Sequence, residues 1–289
     1  MMSEHAKTAA HLLEVNDLVV KFKGKHRLSP SKQVLNRVSL KVDSGKTLGL
    51  VGESGSGKTT IGRAILGLVP AADGMISFEG SDITHLRRRA RRALSRDIQV
   101  VFQDPYGSLN PSRTIGDTLS EPLYGGGDSK SDVRRRVREL LDRVQLPAGS
   151  MDRLPREFSG GQRQRVAIAR AIALKPKLIV CDEPVSALDL STQARVLDLF
   201  SEIQRDTGVA YLFISHDLDV VRHVSDQVAV LYRGDIVESG EASQVTTAPV
   251  HPYTQRLLLA SPVPDPDLQA QRRAEWRSLF EQTGSWRLS

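Results

Sequence analysis

The distribution of apolar and polar positions divides the chain into a strand-rich beginning, a helical middle and a second set of strands. Residues 12 to 22 and 33 to 42 predict an early pair of strands. TLGLV at 47 to 51 is a short apolar strand that runs into glycines and then a helix. KLIVCD at 177 to 182 and VAYLFIS at 209 to 215 are near-continuous apolar runs, the pattern of central parallel strands covered on both faces. Between Gln103 and about Pro176 the strand signal disappears, and helical patterns broken by glycine and proline replace it. A helical subdomain inserted into an α/β core is the expected arrangement. From about Glu241 a short helical region leads to the proline-rich SPVPDPD and a polar tail whose last residues are expected to be poorly ordered.

Composition narrows this picture. With 289 residues the chain can bury a sizeable core, but it has no room for a second unit of the same kind. No apolar run approaches the roughly 20 residues that a membrane helix needs. The start, MMSEHAKTAAHLLEVNDL, lacks the features of a secretory signal, so a cytosolic protein is expected. The single cysteine, Cys181, excludes an intramolecular disulfide and any multi-cysteine metal site, and its setting in LIVC predicts a small buried residue. Net charge is +6, and arginines crowd HLRRRARRAL at 85 to 94 and DVRRRVREL at 132 to 140. Such charge is compatible with nucleic acid or an anionic membrane surface. In the second stretch, however, Val133, Val137, Leu140, Leu141 and Val144 fall at helical spacing, which puts the arginines on a solvated face, and no nucleic-acid partner is expected.

The chemistry concentrates in two motifs. GESGSGKTT at 52 to 60 (Gly52, Glu53, Ser54, Gly55, Ser56, Gly57, Lys58, Thr59, Thr60) fits G-x-x-x-x-G-K-[ST], after a predicted strand and before a predicted helix. Its glycines let successive amides face one anion, and the following helix adds its positive end. Lys58 is expected to hold β and γ phosphates as a point charge, and the Thr59 hydroxyl to ligate Mg²⁺. LIVCDEP at 178 to 184 ends a strand with two adjacent acids, which is costly without a cation. Asp182 would bind Mg²⁺ directly or through water, and Glu183 would polarise the water that attacks the γ phosphate.

At FSGGQRQRVAIARA, residues 158 to 171, the chain resembles the ABC ATPase family, whose signature is LSGGQ, with Phe158 in place of leucine. Walker-B-like LIVCDEP, D-loop-like SALD and the histidine of ISHD follow in the family's order, so the resemblance spans about residue 12 to 240. It implies a P-loop NTPase of ABC type: a mixed-sheet core with an N-terminal antiparallel β part, a helical subdomain over about 103 to 176 and a C-terminal extension over 241 to 289. Ser159, Gly160, Gly161 and Gln162 would open a helix and present amides, a hydroxyl and a dipole to an anion. The chain's own loop already fills that role, and ABC ATPases pair head to tail, so two ATP molecules sandwiched in a dimer are expected. By the same resemblance Gln103 reaches Mg²⁺ and the attacking water and forms the coupling hinge. His216 contacts the γ phosphate, Asp189 lies in the dimer-facing D-loop, and Phe22 stacks on adenine.

VFQDPYGSLNPSRTI at 101 to 115, VCDEPVSALDLSTQARVLDLF at 180 to 200 and HPYTQRLLLASPVPDP at 251 to 266 are similar to the second ATPase subunit of oligopeptide and dipeptide importers. The cysteine cluster that some of these carry near the end is absent. The resemblance implies a paralogous ATPase partner, two membrane permeases, an extracytoplasmic peptide-binding protein and a place on the cytoplasmic face of the membrane. Import of nickel, glutathione or another small solute is the alternative within the branch. A non-transport ATPase, such as a phosphonate-pathway component, is the alternative outside it.

Overall fold

Strands that are apolar on both faces must be covered on both faces, and that requirement organises the whole architecture. The computed structural model describes residues 11–22, 31–104, 106–126 and 129–260. In chain order the first half contains β1 (Leu13–Phe22), β2 (Lys32–Val42), β3 (Thr47–Val51), α1 (Lys58–Ile65), β4 (Asp73–Phe78), β5 (Ser81–Asp82), α2 (Arg88–Leu94) and β6 (Ile98–Val101). Helices α3 (Ile115–Ser120), α4 (Lys130–Arg143) and α5 (Gly160–Ile172) follow. The chain then forms β7 (Leu178–Asp182), α6 (Leu190–Thr207), β8 (Ala210–Ile214), α7 (Leu218–Val224), β9 (Gln227–Tyr232), β10 (Asp235–Glu241), α8 (Ala242–Thr247) and α9 (Pro252–Ala260).

The central sheet has the order β10-β9-β3-β8-β7-β6, parallel throughout except for β10. A second, antiparallel sheet has the order β2-β1-β4-β5. Side chains alternate along the central strands and serve two cores. Leu178 and Val180 of β7, with Leu212 and Ile214 of β8, pack with α1 and the antiparallel sheet. Ile179, Cys181, Tyr211 and Phe213 face α5, α6 and the inserted helices. Phe200 of α6 meets both aromatics of β8 edge-on, with centroids 5.4 and 5.5 Å away.

The expected strands at 12–22, 33–42, 47–51, 177–182 and 209–215 are present, shifted by a residue at some ends, and the described residues between 103 and 176 contain helices and turns without a strand. Two features lie beyond that pattern: β4 with β5, and the β9–β10 hairpin. DGMISFEG is broken by two glycines and by polar residues, so its strand character comes from pairing with β1. The arginines of α4 turn outward while Val133, Val137 and Leu141 are buried. None of α2 is buried, yet Arg91 donates to the carbonyls of Ile65 (2.9 Å) and Ile83 (2.6 Å) and ties that helix to the core. Cys181 is fully buried, and burial pushes its thiol pKa up. SPVPDPD and the polar tail lie outside the described residues, as do residues 1 to 10.

Candidate active site

The glycine loop begins where β3, buried along its whole length, ends at the centre of the sheet. Side chains are excluded at its two pivots. A Cβ on Gly52 would lie 2.2 Å from the Leu231 carbonyl oxygen, and one on Gly57 would lie 2.7 Å from Leu35 Cδ2. Gly57 is the N-cap of α1 at φ 115°, a left-handed conformation open to glycine, and no side chain caps the helix there. The first amides of α1 are therefore left for an external anion. Glu53, Ser54 and Gly55 are exposed at the tip, Ser56 and Lys58 are buried, and Thr59 and Thr60 are half-buried.

Two buried polar groups fit an anionic ligand. Ser56 Oγ has no hydrogen-bond partner among the described residues. Lys58 is 4% exposed, and among the described residues its ammonium donates to the carbonyls of Gly52 (2.6 Å) and Glu53 (2.9 Å) alone. Burial lowers its pKa, and the negative charges of Glu183, Asp182 and Glu53 oppose that shift. A phosphate in the loop would supply the counter-charge that two carbonyls do not.

The acidic pair closes the other side. Asp182, the last residue of β7, accepts from the Thr59 hydroxyl at 2.8 Å. Burial raises its pKa, and the Thr59 hydrogen bond partly offsets this. Glu183 follows at φ 50°, outside strand geometry, and its N–H donates to Ile214 O at 3.0 Å. That turn brings its carboxylate to Gln103, whose Nε2 donates to Oε2 at 3.1 Å, and to His216, whose Nδ1 lies 3.4 Å from the same oxygen. His216 reaches this place because Ser215, after β8, donates its N–H to Leu50 O of β3. Lys58, Thr59, Asp182, Glu183, Gln103 and His216 thus come together from four parallel strand ends. Thr59 and Asp182 offer converging oxygens that suit Mg²⁺. Among the described residues no group of three or more His, Cys, Asp or Glu forms a metal cage, so such an ion would need phosphate oxygens to complete its shell.

The second group of expected residues lies on the helical side. Ser159 caps α5: its Oγ accepts from Gln162 N (3.3 Å), and its own N–H donates to Gln162 Oε1 (3.0 Å). Ser159 is exposed, whereas Gly161 is buried where a Cβ would come within 2.3 Å of Thr192 Cγ2. Asp189 caps α6, accepting from Thr192 N at 3.0 Å and from the Ser191 hydroxyl at 2.7 Å; the Ser191 bond leads in holding its carboxyl well below the usual range. Phe158 is 4% exposed beneath the Arg153 guanidinium, so the aromatic replacement is absorbed by packing. Among the described residues no hydrogen bond or ion pair joins this group to the glycine loop. Phe22 also stands apart, exposed at the end of β1. One residue at the loop went unanticipated: Tyr253 of α9 accepts from Glu53 N at 2.8 Å. The HPYT sequence that carries it was legible as a motif but gave no sign of its target.

Comparison with known proteins agrees with this geometry. The family model described as ABC transporter matches residues 35–186. The oligopeptide transport ATP-binding protein OppF of Salmonella typhimurium is 48% identical over 272 residues, covering 91% of this chain and 81% of that protein. OppD of Mycobacterium bovis is 50% identical over 234 residues, 81% of this chain but 38% of the relative. Among solved structures, a dimeric ATP-binding cassette in a post-hydrolysis state bound to ADP and Pi superposes with a TM-score of 0.71 at 28% identity, covering 80% of this chain and 98% of that one. The cbiO1 component of an ABC transporter complex of Clostridium perfringens gives 0.74 at 26% identity, covering 82% and 91%.

Proposed function

This chain belongs to the ABC transporter family, and on that premise we propose that it is the ATP-hydrolysing subunit that energises import of oligopeptides or dipeptides. The observation that carries the catalytic half is the convergence of Lys58, the Thr59–Asp182 pair and Glu183 with its two neighbours at the ends of parallel strands. The cargo half is supported by relatives called oligopeptide transport ATP-binding proteins, among them OppF proteins similar along most of both chains. That full-length match favours the second ATPase subunit of the pair.

In this reading Lys58 and the loop from Gly52 through Thr60, by its amides other than that of Glu53, hold the triphosphate. Thr59, Asp182 and Gln103 would hold Mg²⁺, which when bound neutralises charge on the phosphate oxygens. Glu183 orients the attacking water and accepts its proton, while Gln103 and His216 fix the carboxylate, Gln103 also reaching the water and His216 the γ phosphate. The protein contributes positioning and electrostatics. A second, related ATPase subunit, paired head to tail, closes the site with the Ser159–Gln162 helix start and Asp189. Phe22 stacks on adenine from the exposed end of β1.

The ATPase occupies residues 1 to 240, with 241 to 289 as an extension. Gln103, just past β6, is the hinge to the helical segment over about 103 to 176, which meets the permeases. Two permeases and an extracytoplasmic peptide-binding protein complete the complex. No described helix is long and apolar enough to cross a membrane, so attachment at the cytoplasmic face would come through the permeases.

Purification of the tagged chain from membranes tests this directly: two permeases and a second ATPase should accompany it. A soluble assembly without permeases would favour a non-transport ATPase. In uptake assays, deletion of the chain should abolish peptide import; loss of nickel import with peptide import intact would overturn the cargo.

A further inference from the structure

The C-terminal segment reaches the nucleotide loop through one side chain. After α8, Glu238 of β10 accepts from the N–H groups of Val250 (2.7 Å) and His251 (3.1 Å), and His251 Nδ1 accepts from Tyr253 N at 3.2 Å. These bonds set the entry of α9 and send Tyr253, its second residue, inward. The ring is 2% exposed, lies 4.2 Å from the Tyr232 ring centroid and packs among Val51, Val228, Val230, Ala242 and Val245. Its hydroxyl accepts from Glu53 N at 2.8 Å, across 200 positions of sequence. The carbonyl of that same peptide unit, Gly52 O, accepts from Lys58 Nζ at 2.6 Å, and Glu53 O accepts from it at 2.9 Å.

We propose that Tyr253 is a positioning residue of the ATP site: it holds the peptide unit joining Gly52 and Glu53, on whose carbonyl Lys58 rests, so the C-terminal segment sets how the loop presents its lysine. The inference depends on the loop being the ATP site and adds a residue to it from the C-terminal segment, outside the loop. Glu53 N–H, engaged by Tyr253, is withdrawn from phosphate binding, so the contact acts on the loop's shape and leaves the amides nearer α1 free. Burial pushes the tyrosine hydroxyl up to about 12, which keeps it neutral across the physiological range. Without that oxygen the Glu53 amide would lose its partner and the first turn of the loop would loosen.

Tyr253→Phe removes the oxygen and keeps the ring. In the full-length chain the Kd for ATP should rise about three- to tenfold, the span expected for loss of one partly buried hydrogen bond. In the assembled complex KM for ATP should rise in parallel with kcat within about twofold, because the hydroxyl touches none of the acids that act on water. Val245→Ala, a cavity in the same cluster with no bond to the loop, is the control for packing: it should lower Tm and leave ATP affinity unchanged. Unchanged Kd and KM in Tyr253→Phe would overturn the inference, and so would an equal loss of affinity in Val245→Ala. Absence of ATP binding by the unaltered protein would instead bring down the functional reading beneath it.

Discussion

Two helix starts, those of α1 and α5, are the ones proposed to meet phosphate, and they are built in opposite ways. At α1 the N-cap is Gly57, no side chain satisfies the first turn, and a buried ammonium waits with two carbonyls for company. At α5 the N-cap is Ser159, closed into a reciprocal box with Gln162 and exposed to solvent. Orphan amides are costly unless a ligand meets them, so the first start is stable chiefly when filled. A capping box is stable by itself, so the second can persist exposed without a ligand. The difference matches the proposed division of labour: the α1 start, left incomplete, suits the gripping half, and the α5 start, complete in itself, suits the closing half.

The sharpest test of the gripping half removes the acid beside it. Glu183→Gln should retain ATP binding and lower hydrolysis by about 10²–10⁴-fold, the usual worth of a positioned base, in phosphate-release assays on the complex. Full turnover would refute its role. Lys58→Ala should weaken ATP affinity by roughly 10- to 100-fold, the range for losing charged hydrogen bonds. Isothermal titration reads this, and an unaltered Kd would contradict the cradle. Ser159→Ala probes the closing half: it should cost about 1 kcal/mol of stability through the lost cap and leave ATP affinity of the isolated chain intact. Hydrolysis by the paired complex should fall. If Ser159→Ala weakened binding in the isolated chain as Lys58→Ala does, the division into two halves would collapse.

The smallest effect concerns pH. Burial holds the Asp182 carboxyl above its ordinary 3.8, so the folded protein binds this proton more tightly than the unfolded chain. Its contribution to stability is complete below 3.8 and is lost as pH rises through the raised native value. At neutral pH the ionised group therefore weighs against the nucleotide-free fold. Asp182→Asn should raise Tm without nucleotide at pH 7, and the gap should narrow as the medium is acidified. A variant that melts no higher than the parent at pH 7 would show that Thr59 already compensates the buried charge.

The strand runs were legible because they are apolar on both faces, and LIVCD and VAYLFI proved to be neighbours at the centre of the parallel sheet. The capping box of α5 could be read from Ser159 and Gln162, three positions apart, since capping is a local transaction. β4 escaped notice because glycines and polar residues interrupt it and its partner β1 lies some sixty positions earlier. Glu183 follows a strand run and Gln103 stands where the strand signal stops, but their 3.1 Å contact exists because β6 pairs with β7 across an inserted helical segment.

By itself the sequence determined the glycine loop, the acidic strand end, the signature helix start and the alternation of strands with helices, because each depends on residue types a few positions apart. Only the tertiary structure decided that six residues from four strand ends come together and that Tyr253 meets the loop at Glu53 N. Such pairings follow from sheet order, β3 beside β8 and β9 and β7 beside β6, which local periodicity does not encode. A hydrogen bond across 200 residues has no local signature.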